Sequence, residues 1–461
     1  MKFQITQHEF LIDGKAQPLL CGEIHYFRMS RSAWEPALDA LVAAGCNAVS
    51  YYVPWLVHEP EENVFDFTGR FAPEHDLHAW IRLTQEKELI GLLRPGPYIY
   101  AEAADLGLPR WFSDHYPQAH PQKYEDGAYV NYGFTRYASH QAPSFLCCVS
   151  RWLRAVRAEI EPYLAPRGNI WMIQLCNEIP GDDHQDENPL TLGIGSPDGL
   201  LPSYLRKQYG TQAALETAYG TALPPMEQVE PHHLRAANAK LCELEKRKFY
   251  YTWYYPLYFQ KLKRWLQPLP PEITLFHNAY NPKAFSLHYD NQKLNPWLNI
   301  GVDCYYSIFG SLSLKEGVYF CEYGAAYSNA LFRNPPWVVE HESGYWFDFP
   351  QVYGPELYIW NIYMFAAGYR GINMYMFAAG QNPDGLGFFG TAHNWQAPVQ
   401  KDGRPGSNYP YICRSLAEIK AHFEVFSVPN SFDIALGVPH TPGLIWTSTA
   451  NACREAFLAL K

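Results

Sequence analysis

Two acidic residues stand at the ends of short apolar runs. Trp171-Met172-Ile173-Gln174-Leu175-Cys176 runs into Asn177-Glu178, and Pro180 bars its continuation. Val318-Tyr319-Phe320-Cys321 runs into Glu322 in the same way. Runs of this length and composition read as strands buried on both faces. An acid at the tip of such a strand is delivered to the rim of a sheet or barrel. Two carboxyl groups facing each other across a cleft are what glycoside hydrolysis requires. One, kept protonated, gives its proton to the leaving oxygen. The other, ionised, attacks the anomeric carbon or activates a water. Taken alone, Glu178 is equally a helix cap or a surface ion-pair partner, so the case rests on what positions it.

The positioning elements follow in order along the chain. After a hairpin turning at Asp13-Gly14, buried strands are predicted at Leu19–Phe27, Asn47–Val53, Leu89–Arg94, Ile170–Cys176, Ile273–Asn278, Asn299–Tyr305, Val318–Glu322 and Gly371–Phe377. Helical spacing falls between them, at Trp34–Ala44, Asp76–Lys87, Ser144–Leu164, Ala236–Leu266 and Pro355–Gly368, and again after the last strand at Tyr409–Phe423. Eight short apolar strands alternating with helices make the pattern of a (β/α)8 TIM barrel in the α/β class, with its site at the strand C-terminal ends. Strands four and seven lie on opposite sides of such a mouth, so Glu178 and Glu322 are expected to face one another. Residues 179–235 form the longest excursion, with a helical patch at Pro202–Tyr219, and a connection of that length is usually a lid or a subsite wall. Residues 1–425 are read as the barrel and residues 426–461 as a C-terminal α/β extension, the opening of a second domain, with a strand at Ile434–Val438 and a helix at Asn451–Leu460.

Composition narrows the function classes. With 48% hydrophobic and 18% charged residues in 461, the chain has enough apolar material for a large core. A net charge of −10 with no basic run argues against nucleic acid and acidic membranes as partners. No apolar segment is long enough to span a bilayer, and Met1-Lys2-Phe3-Gln4 opens no secretory signal. The ten cysteines are scattered, with no CxxC or zinc-like spacing, so neither a disulfide framework nor a metal site is expected, and the setting is cytoplasmic and reducing. No cofactor is implied. The 34 Tyr and 14 Trp chiefly fill the core, with some left to stack on sugar rings.

Ordered motifs carry a family resemblance. Phe10-Leu11-Ile12-Asp13-Gly14, Gly22-Glu23-Ile24-His25-Tyr26-Phe27-Arg28, Tyr52-Val53-Pro54-Trp55, His58-Glu59-Pro60, Leu93-Arg94-Pro95-Gly96-Pro97-Tyr98 and Ala101-Glu102 come first. Gln174 with Asn177-Glu178, Cys321-Glu322-Tyr323-Gly324 and Asn373-Met374-Tyr375-Met376-Phe377 with Gly380 follow. The chain resembles glycoside hydrolase family 35, best known for retaining β-galactosidases. The resemblance implies Glu178 as acid/base and Glu322 as nucleophile, with Asn177 on the sugar 2-hydroxyl and Tyr52 and Glu102 holding the terminal sugar. Tyr323 or Tyr375 would steady the nucleophile. Glu23, Glu59 and Asp105 are read as ion-pair partners of Arg28 or Arg94, and His25 and His58 as scaffold.

The departures bear on the substrate. Leu56 stands where the family usually has Asn, and Ala103 where it has Trp. His393-Asn394-Trp395-Gln396 replaces Tyr-Asp-Tyr-Asp, which puts Trp395 at the sugar wall. Losing buried donors and acceptors changes which hydroxyl pattern is tolerated. Residues 201–210 and 215–221 also resemble an insertion of family 42 galactosidases and of the family 35 exo-glucosaminidases. The implied activity is therefore that of a retaining exo-β-glycosidase, β-galactosidase-like, acting on an oligosaccharide or β-glycoside, and homo-oligomers are compatible with it. The alternatives are a transglycosidase acting on β-glucosides, an exo-β-glucosaminidase, and a carbohydrate-binding barrel without catalysis.

Overall fold

The computed structural model describes residues 1–121, 131–132, 135–179, 187–279, 296–305, 314–345 and 352–428. Eight parallel strands close into a barrel: Leu19–Glu23 (β1), Ala48–Tyr52 (β2), Ile90–Arg94 (β3), Ile170–Gln174 (β4), Thr274–Ala279 (β5), Leu298–Cys304 (β6), Trp337–Glu342 (β7) and Gly371–Tyr375 (β8). The ring closes where Gly371 of β8 pairs with Leu19 of β1, and β4 meets β5 at Met172 and Thr274. Every residue of β1–β4, β7 and β8 is buried. That is why these strands read as continuous apolar runs rather than as alternating ones.

Helices cover the outside of the barrel. Leu77–Glu86 is capped by Asp76, whose carboxylate accepts the Ala79 N–H at 2.8 Å. Pro143–Ile160 begins on a proline, where a missing N–H costs nothing. A Cβ on Gly22 of β1 would lie 2.5 Å from Leu41 Cδ1, so a glycine there lets helix Arg31–Ala43 press onto the strand. The N-terminal end of the barrel is plugged by a three-stranded antiparallel sheet, Phe3–Ile5, Phe10–Ile12 and Lys15–Ala16. Phe3 sits edge-on to Trp171 at 6.2 Å and Phe10 edge-on to Trp337 at 6.2 Å. Each such ring withdraws about 150–250 Å² from water. With that end sealed, the opposite mouth is where a ligand can enter.

One predicted strand is corrected. Val318–Glu322 lies inside a long helix, Leu314–Leu331, and the seventh strand is Trp337–Glu342. The helix is wedged against the barrel and against helix Gly354–Ala367, where a Cβ on Gly317 would lie 2.6 Å from the Trp360 ring. A helix covered on several sides is apolar around most of its circumference. Its sequence then has no helical stripe and resembles a buried strand.

The predicted helix Ala236–Leu266 is two helices, Ala239–Phe249 and Tyr255–Leu266, joined by a π turn at Tyr250–Tyr254. Within the excursion after β4, Leu200–Tyr209 and Gln212–Tyr219 are helices ending on Gly210 and Gly220. Among the described residues no helix is long and apolar enough to cross a membrane. The strand expected at Ile434–Val438 and the helix at Asn451–Leu460 lie outside the described residues.

Candidate active site

Three carboxyl groups converge at the C-terminal mouth. Glu178 stands just beyond β4, Asp303 on β6 and Glu340 on β7, and one oxygen of each lies within 4.8 Å of the others. Glu178 holds a left-handed backbone with φ 46°, and its N–H donates to Asn278 Oδ1 at 3.1 Å. Asp303 and Glu340 are register partners across β6 and β7, where the pairing slips by one residue. A bulge of that kind re-aims side chains, and it is common beside active sites.

Arg94 at the tip of β3 organises the charges. It is fully buried and donates to Glu23, Glu340 and Gln174, and to Asn177 Oδ1 at 2.8 Å. Its guanidinium lies over the Tyr52 ring, 4.1 Å from the centroid. Tyr305 gives its hydroxyl to Glu340 Oε2 at 2.7 Å, and the Tyr52 hydroxyl lies 3.0 Å from Glu340 Oε1. Glu340 is thus an acceptor surrounded by donors, the environment that solvates a carboxylate.

Asn177 is oriented by the same network. Arg94 can only donate, and Gln174 Nε2 and Asn278 Nδ2 also donate to Asn177 Oδ1, at 3.2 and 2.9 Å. Its oxygen is therefore occupied, and its amide nitrogen faces Glu178 Oε2 at 3.4 Å. What Asn177 can still offer a ligand is an N–H, suited to a hydroxyl oxygen.

Burial and neighbouring charge act together on Glu178 and Asp303. Burial pushes the Glu178 carboxyl well above the usual carboxylate range, and the charge of Glu340 adds to this. Burial raises Asp303 as well, with Glu340 and Glu178 next in importance. A neutral acid at Glu178 beside a donor-surrounded carboxylate at Glu340 can protonate one atom and attack its neighbour. The three acids are also the one group of His, Cys, Asp and Glu side chains, among the described residues, with donor atoms this close together. Arg94, paired with Glu340, places a positive charge beside them.

A second wall is aromatic. Trp395 and Tyr375 meet edge to face at 5.0 Å, and Glu102 takes the Tyr375 hydroxyl at 3.4 Å. Glu102 and Trp395 both have positive φ, 50° and 52°, which non-glycine residues seldom adopt except where surrounding structure imposes it. Behind them Arg28 contacts His25 Nδ1 at 2.6 Å and His393 Nε2 at 3.1 Å. His25 also meets Glu23 at 3.0 Å, and His58 bonds the Tyr26 hydroxyl at 2.6 Å. Glu59 pairs with Arg151 at 2.7 Å.

Burial raises the Glu102 carboxyl from 4.5 to about 7, with Arg28 opposing, Glu340 assisting, and Trp395 and Tyr375 bonding to it. Between these values the folded protein holds a proton the unfolded chain has released. Stability therefore falls as pH rises from about 4.5 to about 7. Glu102→Gln is expected to flatten that fall. Calorimetric melting at pH 5 and pH 8 checks it, and an equal drop in variant and wild type would contradict it.

The sequence expectations divide here. Glu178, Asn177, Tyr52, Glu102, Tyr375 and Trp395 come together at the mouth. Glu322 and Tyr323 do not. Glu322 lies on helix Leu314–Leu331 and accepts the Tyr363 hydroxyl, while Tyr323 is buried with its ring 5.5 Å from that of Tyr327. Both are corrected: the carboxylate opposite Glu178 is Glu340, and its tyrosines are Tyr305 and Tyr52. Glu340, Asp303, Asn278 and Tyr305 went unread. The run Pro335-Pro336-Trp337-Val338-Val339-Glu340 carried the signal for the first, an apolar stretch opened by prolines and closed by an acid.

Comparisons with known proteins agree with this architecture. Residues 9–190 match the family described as Glycosyl hydrolases family 35. A Beta-1,2-glucosyltransferase of Ignavibacterium album is 28% identical over 423 residues, covering 87% of this chain and 56% of that protein. An Exo-beta-D-glucosaminidase of Pyrococcus horikoshii is 25% identical over 421 residues, covering 88% and 52%. The Beta-galactosidase of Mus musculus is 34% identical over 178 residues, covering 38% and 24%. The chain thus spans about half the length of the first two relatives. In structure, the beta-galactosidase of the haloarchaeon Halorubrum lacusprofundi superposes with a TM-score of 0.67 at 17% identity, over 87% of this chain and 57% of that one, a likeness of fold. Over residues 9–190 the chain is thus similar in sequence to family 35 glycoside hydrolases, and its barrel has the fold of a beta-galactosidase.

Proposed function

We propose that this protein is a retaining exo-β-glycosidase that cleaves a terminal β-linked hexose by double displacement. Glu340 attacks the anomeric carbon as Glu178 passes its proton to the departing oxygen. Glu178, now ionised, then takes a proton from the incoming water as that water displaces Glu340. The observation that carries the reading is the closeness of the two carboxyls. An oxygen of each lies within 4.8 Å of the other, which favours the roughly 5–5.5 Å carboxyl separation of retaining enzymes over the about 6.5–9.5 Å of inverting ones. Asn177, whose amide nitrogen donates to Glu178 Oε2 at 3.4 Å and carries a second N–H, suits a 2-hydroxyl whose contact tightens in the transition state. That same N–H disfavours a cationic 2-amino group, which weighs against a glucosaminide. Tyr52, Glu102, Tyr375 and Trp395 form the wall for the terminal sugar. A cytoplasmic setting fits, since every cysteine among the described residues is a free thiol.

Galactose is the sugar the family resemblance favours. A second reading, transfer to a sugar hydroxyl with a β-glucoside as donor, draws on the glucosyltransferase relative, whose similarity extends over 87% of this chain against 38% for the murine galactosidase. Proton NMR of the first-formed product from a panel of nitrophenyl β-glycosides, with and without added acceptor sugar, separates them. Retained β-anomer and free hexose are expected. Inversion would overturn the mechanism, and product made only with acceptor present would replace hydrolysis by transfer.

A further inference from the structure

Asp303 is a third buried acid that two-carboxylate hydrolysis does not call for. It is fully buried, and one of its oxygens is within 4.8 Å of oxygens of both Glu178 and Glu340. Its Oδ2 accepts Asn278 Nδ2 at 2.9 Å. Among the described residues no hydrogen-bond donor reaches its Oδ1, and the Asp303 carboxyl interacts with that of Glu178. The charges around it point one way. Arg94 is the cation of this cluster and is already bonded to Glu23 and Glu340. If Asp303 and Glu178 were both ionised beside an ionised Glu340, three anions would crowd one buried cluster, at a Coulombic cost that low dielectric magnifies. A proton between them removes that conflict and gives Asp303 Oδ1 its missing partner.

We propose that Asp303 is a positioning residue for the acid/base: its carboxyl shares one proton with that of Glu178, so the two act as a single unit that keeps the acid loaded. The role rests on the glycosidase reading above. The balance is simple. Glu178 gives its proton to the glycosidic oxygen, and the electron pair of the breaking C–O bond stays on that oxygen while Glu340 bonds the anomeric carbon. That spends the pair's one proton, so Glu178 and Asp303 are both ionised at the glycosyl-enzyme stage, while Glu340, now an ester, has lost its own charge and the total charge of the three acids is unchanged. When water or another hydroxyl later attacks, its proton returns to Glu178. The groups facing this pair are Glu340, Arg94, Asn278, Tyr305 and, further off, Glu102. Of these, Asn278 holds both members, its Oδ1 accepting the Glu178 N–H and its Nδ2 donating to Asp303 Oδ2.

The test is the pH profile of kcat/KM for Asp303→Asn on two substrates of the preferred sugar, one with a 4-nitrophenyl and one with a 2,4-dinitrophenyl leaving group. Two coupled carboxyls titrate as a pair, so removing one frees the other to ionise more easily. The alkaline limb is expected to move at least about one pH unit towards acid. The rate loss should be larger for the 4-nitrophenyl substrate, which leans more on protonation. An unmoved limb, or an equal loss on both substrates, would make Asp303 merely structural and overturn the proposal. A changed preference between glucoside and glucosaminide with the limb unmoved would assign the carboxylate to the sugar's 2-position and overturn it too. Should the variant not fold, 13C-carboxyl NMR of labelled wild type serves instead, where a linked two-step titration supports the pair and independent single-site curves reject it. Failure of the glycosidase reading itself shows differently, as normal turnover by Glu178→Gln or Glu340→Gln.

Discussion

Glu340→Gln is expected to lower kcat/KM at least about a hundredfold, roughly 2.7 kcal/mol of transition-state stabilisation, on every aryl β-glycoside the wild type accepts. Glu322→Gln is expected to change it by less than about threefold, the range of surface substitutions that leave the site intact. The contrast follows from where the two carboxyls stand. Glu340 accepts from Arg94, Tyr305 and Tyr52 beside Glu178, whereas Glu322 accepts from Tyr363 between two outer helices. An amide keeps the shape of Glu340 but cannot form the glycosyl ester, and its N–H groups would face the donors now aimed at it. Steady-state rates with folding checked by circular dichroism settle the comparison. Equal losses in both variants would contradict the assignment.

Removing the acid is the second large effect, and its signature is selectivity for the leaving group. Glu178→Ala is expected to slow cleavage of an alkyl or unactivated aryl glycoside by about 10²–10⁴-fold, the usual worth of a positioned proton donor. A 2,4-dinitrophenyl glycoside, whose leaving group departs without a proton, should form the glycosyl-enzyme at close to the wild-type rate and then stall. Azide, small enough to enter the space left and needing no base, should restart turnover and yield the β-glycosyl azide. Equal losses on both substrates, or no azide product, would move the acid/base role away from Glu178.

Much of this architecture was legible in the amino-acid order because barrel strands are buried on both faces and punctuated by polar tips. Ile170–Gln174 with Asn177-Glu178, and Ile90–Arg94 before Pro95, could be read directly. The same rule misled at Val318–Glu322. A helix enclosed between barrel and neighbour carries no polar stripe, and Cys321-Glu322-Tyr323-Gly324 resembled a nucleophile strand closely enough to mask the competing run at Trp337–Glu342. Connection length held the warning, since a strand ending at Glu322 leaves residues 323–353 without an element of their own. Asp303 was unreadable for another reason. Its significance comes from a register shift between β6 and β7 that brings it beside Glu340, and no local pattern announces such a shift. Tyr305 and Asn278 likewise gain their roles only once eight strands are closed into a ring.

The claim on which all of this depends, that Glu340 bonds to the sugar, can be read from one measurement. A 2-deoxy-2-fluoro glycoside with a good leaving group forms the glycosyl-enzyme and slows its release, so the adduct survives digestion and mass spectrometry of the peptides. The modified residue is expected to be Glu340, in the peptide containing Trp337-Val338-Val339-Glu340-His341-Glu342. A label on Glu322, or on Asp303 with Glu340 unmodified, would contradict the account.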